Sequence, residues 1–202
     1  MYSPIKAKSL RGTRPLTDGK IPLEIDDGNT ARVQDFWQWA FSDLINNTTR
    51  GVLAEYLVAK ALGLPLKEPR QAWDNFDLRY QGVGVEVKSC AYHQAWAQKK
   101  MSTIAFNIRA SQGWDSETNS VDPRVMRRAK IYVLCLEAEK DRDLVDVLDV
   151  SQWRFWVLSR EFLDNRKRSQ HSIGKASLLR EVGEPVGFHS LRENVDRVLH
   201  TR

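Results

Sequence analysis

Asp77, Glu86 and Lys88 place two carboxylates and an ammonium in one short stretch, Asn75 to Ser89. Groups of these types hold a hard divalent cation and manage charge beside it, provided the backbone brings them together. The local pattern predicts how it does so. Val83, Val85 and Val87 alternate with Gly84, Glu86 and Lys88, the period of a strand with one apolar face. Gln81-Gly82 supplies turn chemistry, with glycine where positive φ is needed. A two-residue loop there pairs Tyr80 with Val83 and sets Asp77 directly opposite Glu86, with Cβ atoms roughly 5 Å apart. Lys88 projects from the same face. Two like charges so close cost free energy unless a cation lies between them. The alternative is a solvated polar face on an edge hairpin, and these residues alone do not choose between the two.

A third acid lies upstream. Gly51 to Leu62 is apolar almost all the way round, as expected of a helix packed on several sides. Glu55 is its only acid, set between Val58 and Leu62 on one side and Val52 and Ala59 on the other. A carboxylate held against apolar neighbours is expensive unless it coordinates a metal or is paired, here with a cation such as Arg79 or Lys88. Asp77, Glu86 and Glu55 are hard oxygen donors that suit Mg²⁺, or Mn²⁺, ions that keep several waters and accept a phosphate oxygen. Hydrolysis of a phosphodiester needs charge neutralised on the phosphoryl group and a more nucleophilic water. Lys88 can orient or deprotonate that water, or stabilise the developing charge.

A helix bearing an acid (Glu55), then Phe76-Asp77 opening a hairpin and Val85-Glu86-Val87-Lys88 closing it, resembles the PD-(D/E)xK nuclease superfamily, the restriction-endonuclease-like proteins. The resemblance implies an α/β fold, a central mixed four-stranded sheet flanked by helices in αβββαβ order, over residues 50 to about 136, with Ile131–Leu136 as a later central strand. It implies a Mg²⁺-dependent DNA endonuclease with catalytic Glu55, Asp77, Glu86 and Lys88, and with Asp77, Glu86 and Glu55 as metal ligands. A restriction or defence role is the first expectation. A Holliday-junction resolvase or repair nuclease is the alternative, and so is a non-catalytic nucleic-acid-binding module, which has no physical need of the intact acid–acid–lysine set. Phe76 stands where the family name has proline. Gln94 and Gln98 are candidates for the glutamine that some members carry after the lysine.

The formal net charge of +5 is compatible with DNA as partner. Its clusters are Lys6, Lys8, Arg11, Arg14 and Lys20; Arg124, Arg127, Arg128 and Lys130; and Arg166-Lys167-Arg168. Each can neutralise phosphates or be solvated. No apolar run approaches the ~20 residues that span a bilayer, and the start lacks the apolar core of a secretory signal, so a cytoplasmic protein with no membrane partner is expected. Cys90 and Cys135 lie in apolar stretches and read as buried side chains. A homodimer is compatible with cutting both strands at once.

The chain is expected to form one domain over 1–202: an irregular arm over 1–30, the core over 50–136, and an extension over 140–202. Helices are predicted over Val33–Ile45 and Arg50–Leu62, the second capped from Asn46–Thr49. Strands are predicted over Thr103–Ile108, Ile131–Leu136, Val145–Val150 and Arg154–Leu158. Gly113–Val121 reads as a polar loop, Arg124–Arg128 as a short helix, and Ser159–Asn165 and Leu191–Leu199 as helices. Trp37, Trp39, Trp153 and Trp156 read as core. Trp73, Trp96 and Trp114 flank the site, where they pack or stack on bases.

Overall fold

The computed structural model describes residues 16–24, 30–71, 74–115, 120–167 and 171–201. Lys6, Lys8, Arg11, Arg14, Trp73 and Arg168 lie outside the described residues. Within the expected arm, Pro22–Glu24 (β1) pairs antiparallel with Thr30–Arg32 (β2), which leads directly into Val33–Phe41 (α1). The next helix, Asn47–Leu62 (α2), starts where the sequence places its cap, because the Asn46 side chain accepts from Thr48 N. It ends at Gly63, whose φ of 71° lets its N–H and that of Leu64 turn back onto the last carbonyls.

Leu78–Tyr80 (β3) and Val83–Ala91 (β4) form the expected hairpin, with Tyr80 opposite Val83. Gln81 and Gly82 both have positive φ, the conformation of a tight turn that matches strand twist. The next strands are Ala105–Asn107 (β5), Ser111–Asp115 (β6), Ser120–Met126 (β7), Ile131–Glu137 (β8) and Trp153–Ser159 (β9). The central sheet has the order β3-β4-β8-β9, with β4 and β8 parallel and both outer pairs antiparallel. It is therefore mixed and four-stranded, as expected. The element order differs from αβββαβ: among the described residues the connection from β4 to β8 contains strands β5, β6 and β7 and no helix. The chain closes with Arg160–Asn165 (α3), Ser172–Gly174 (β10), Lys175–Glu181 (α4) and Leu191–His200 (α5).

Strand alternation divides the core in two. Val85, Val87, Val133, Cys135, Phe155 and Val157 pack with Ala54, Val58 and Leu62 of α2 and with Leu191, Val195 and Leu199 of α5. On the other face Tyr132, Leu134, Leu136, Trp156 and Leu158 pack with Phe106, Leu163, Ile173 and Leu178. Every residue of β8 is buried, which is why Ile131–Leu136 is continuously apolar, and the strand ends on a buried acid, Glu137. Because β9 and α5 belong to these layers, the sheet and its packing extend well past residue 136.

Three expectations are corrected. Arg124–Arg128 is not helical: Ser120–Met126 pairs with β6, so the described ends of the predicted polar loop and most of the predicted short helix lie on paired strands. Val145–Val150 is not a strand, because Asp146 and Asp149 accept from Leu148 N and Ser151 N and hold successive turns. Trp39 is 86% exposed and Trp37 is also exposed, whereas Trp153 and Trp156 are core. No helix among the described residues is long and apolar enough to cross a membrane.

Candidate active site

The hairpin positions Asp77 through a break in its own ladder. β3 pairs with β4 only as far as Leu78 opposite Val85, and the next carbonyl in register for Val87 N–H would be that of Phe76. Instead Val87 N donates to Asp77 Oδ2 at 2.7 Å. Among the described residues Asp77 Oδ1 has no hydrogen bond. Phe76 fixes the approach by packing: a Cβ on Gly84 would lie 2.5 Å from Phe76 Cδ1, so only glycine admits the ring here. The Arg79 guanidinium covers that ring at 4.8 Å from its centroid. One residue on from Val85, Glu86 is ion-paired with Lys88, the two sharing a strand face two residues apart.

Glu55 is buried on α2, and its partner is Arg70, not Arg79 or Lys88. The guanidinium grips both carboxylate oxygens, Nε on Oε2 and Nη2 on Oε1, the latter at 2.6 Å. Sequence reasoning missed Arg70, which lies in the irregular segment between α2 and β3. Burial pushes the Glu55 carboxyl above the usual range; the Arg70 hydrogen bond opposes this, and the Asp77 charge adds to it. Burial likewise raises Glu86, with Lys88 opposing and with Asp77 and Glu55 reinforcing. The three acids thus feel one another's charge. Among the described residues, no three His, Cys, Asp or Glu side chains gather closely enough to enclose an ion.

Glu86 and Lys88 open into a cleft of about 530 Å³ whose opposite wall is the segment Asn107–Gln112 and the end of β7. Tyr132, level with Glu86 on the neighbouring parallel strand, forms part of its floor. Burial, and then the Glu86 charge, raise its phenol above the ordinary value. Asn75 Oδ1 accepts from Trp114 N at 3.2 Å and ties the β6–β7 hairpin to the approach to Asp77. Arg128 lies flat on Gly113, where a Cβ would be 2.1 Å from its Nε, and pairs with Asp122. Arg109 completes the basic rim. Asp77 sits on the hairpin beside the cleft and does not line it.

Gln94 and Gln98 are used locally. The buried Gln94 amide donates to Ala91 O and Ser102 Oγ, and Gln98 Oε1 accepts from Gln94 N, so the two hold the loop after β4 together. His93 contacts Lys140 O. Trp96 is exposed and Trp114 borderline exposed. Cys90 and Cys135 are both free thiols, the second buried.

Residues 25–172 match the family model of bacteriophage T4 endonuclease IV. The chain belongs to that family. The match spans α2, the hairpin, the cleft and the whole central sheet, so every candidate residue lies within the endonuclease region. Comparison with curated proteins and with solved structures returned no match. Membership marks the chain as an endonuclease.

Proposed function

We propose that this endonuclease is a metal-dependent enzyme of the PD-(D/E)xK type, acting through Asp77, Glu86 and Lys88. The observation that carries the reading is the pairing of Glu86 with Lys88 at a basic cleft, with Asp77 just past the paired end of the same hairpin and hydrogen-bonded to Val87 N. The donor set fits Mg²⁺, or Mn²⁺, because such an ion needs only one or two carboxylates and takes its remaining ligands from water and phosphate. Burial is the main cause that raises Glu86, and an ion between Asp77 and Glu86 would offset the Asp77 repulsion that adds to it. Glu55 has both oxygens engaged by Arg70, so it supports the ion from behind and becomes a direct ligand only when Arg70 turns to the substrate.

A bound divalent ion supplies charge neutralisation on the phosphoryl oxygens and a more acidic water. The chain's own groups do the rest. The oxygen of a water attacks phosphorus, the bond to the leaving oxygen breaks, and a proton must leave the water and reach that oxygen. In this reading the Lys88 ammonium, oriented by its ion pair with Glu86, stabilises the charge that builds on the phosphoryl oxygens. Restriction or defence against foreign DNA is the role proposed, following the superfamily resemblance. The test is incubation with supercoiled, linear and branched DNA and with RNA, in Mg²⁺, Mn²⁺ or EDTA, beside Asp77→Ala and Lys88→Ala. Cleavage in EDTA, or by both variants, overturns the assignment. Preference for branched over duplex DNA replaces the restriction role with junction resolution.

A further inference from the structure

The cleft beside Glu86 and Lys88 does not end at Arg109. A second cavity of about 780 Å³ adjoins it, and the two share a wall made of Arg109, Ala110, Val125, Met126 and Arg127. Arg160, Asp164 and His171 complete the second cavity. We infer that this second cavity is a phosphate-binding subsite, which seats the backbone of the DNA strand that continues beyond the scissile bond. The inference rests on the endonuclease reading above and extends it to how the strand is held.

The charges of the cavity divide into two kinds. Arg127 is structural: it is buried, its Nε donates to Ile108 O at 2.8 Å, and its Nη1 pairs with Asp164 at 2.6 Å. It therefore fixes the Ile108–Arg109 segment to α3 and uses Asp164, the only carboxylate among the described residues that line the cavity. Arg109 is exposed, and its guanidinium has no ion pair or hydrogen bond among the described residues. The Arg160 guanidinium makes one hydrogen bond among the described residues, to the Arg127 carbonyl at 3.5 Å, and has no carboxylate partner among them. Uncompensated guanidiniums on one cavity repel each other, and a multivalent anion relieves that cost. The planar fork of arginine matches two phosphate oxygens at once. Because the wall carrying Arg109 is shared with the cleft that holds Lys88, the anion that fits is a continuous phosphodiester backbone.

The test uses the full chain and a fluorescently labelled DNA oligonucleotide, with binding followed by anisotropy in EDTA from roughly 50 to 200 mM salt. Arg109→Ala and Arg160→Ala are each expected to flatten the slope of log K against log salt by about 0.7 to 0.9, one phosphate contact apiece. Arg109→Lys should keep the slope, as should Arg197→Ala on α5, which packs on the other face of the sheet. In cleavage assays KM should rise for both alanine variants while kcat holds. Wild-type slopes and wild-type KM in both variants overturn the subsite, even where Asp77→Ala abolishes cutting. Absence of cleavage by the wild-type chain in either ion overturns the endonuclease reading instead, and the binding slopes still decide the subsite.

Discussion

Replacing Asp77 separates what its carboxylate does for the fold from what it does for chemistry. In the folded protein Asp77 Oδ2 accepts from the N–H of Val87, a buried residue whose ladder partner is missing. Asp77→Ala leaves that N–H unsatisfied, a cost of about 1–3 kcal/mol. Asp77→Asn keeps a carbonyl oxygen in the same place and loses only the charge assistance, less than about 1 kcal/mol. Both variants remove the same negative charge near Glu86 and Glu55, so the difference between them isolates the hydrogen bond. For a chain of this size, about 2–4 °C in Tm corresponds to 1 kcal/mol. Thermal unfolding should therefore place Asp77→Ala several degrees below Asp77→Asn. Cleavage should fall about 10²-fold or more in both, as expected when one group that stabilises transition-state charge is removed. Isothermal titration with Mn²⁺ should lose its binding signal in both. Equal melting temperatures refute the account of Val87. Wild-type cleavage in Asp77→Asn refutes the site.

Arg70→Ala strands the buried Glu55 carboxylate; because Arg70 is itself 39% exposed, solvent screening reduces the usual buried-pair penalty to about 1–2 kcal/mol, and the additional change Glu55→Gln should recover part of it in a thermal double-mutant cycle. Glu86 is raised by burial, so its neutral form supports the fold fully below the unfolded carboxyl value of about 4.3, and that support is lost as pH rises through the higher folded value. Glu86→Gln should flatten the fall in Tm with rising pH across that window, and Mn²⁺ binding by the wild-type chain should strengthen across it, because the ion displaces the proton. Gly84→Ala drives a methyl into the Phe76 ring and should cost about 1–3 kcal/mol, with cleavage falling as Phe76 drags Asp77 from its place; an unchanged rate and Tm would remove Phe76 from the argument.

What could be read from the sequence was local. The β3–β4 register, the Gln81-Gly82 turn and the Asn46 cap depend on residues within a few positions of one another, and each was readable from alternation or capping chemistry. The β6–β7 hairpin gave no such signal, because nearly all of β7 is solvent-exposed and no apolar stripe marks its period. Val145–Val150 gave a false one: its apolar residues suggest a strand, but aspartates accepting from N–H groups two positions ahead fix turns. Within the site the same division holds. The placement of Asp77, Glu86 and Lys88 was legible because one hairpin carries all three. Arg70 was not, since its partner Glu55 is fifteen residues away and Arg70 itself lies past the end of α2 in an irregular segment, and a burial cost shows that a partner is needed without saying which. That difference bears on the chemistry. The hairpin triad is positioned by backbone geometry, whereas Glu55 is positioned by a guanidinium that can exchange a carboxylate for a phosphate. In the proposed reading, Glu55 is therefore the one of the four candidate residues whose partner would change on DNA binding.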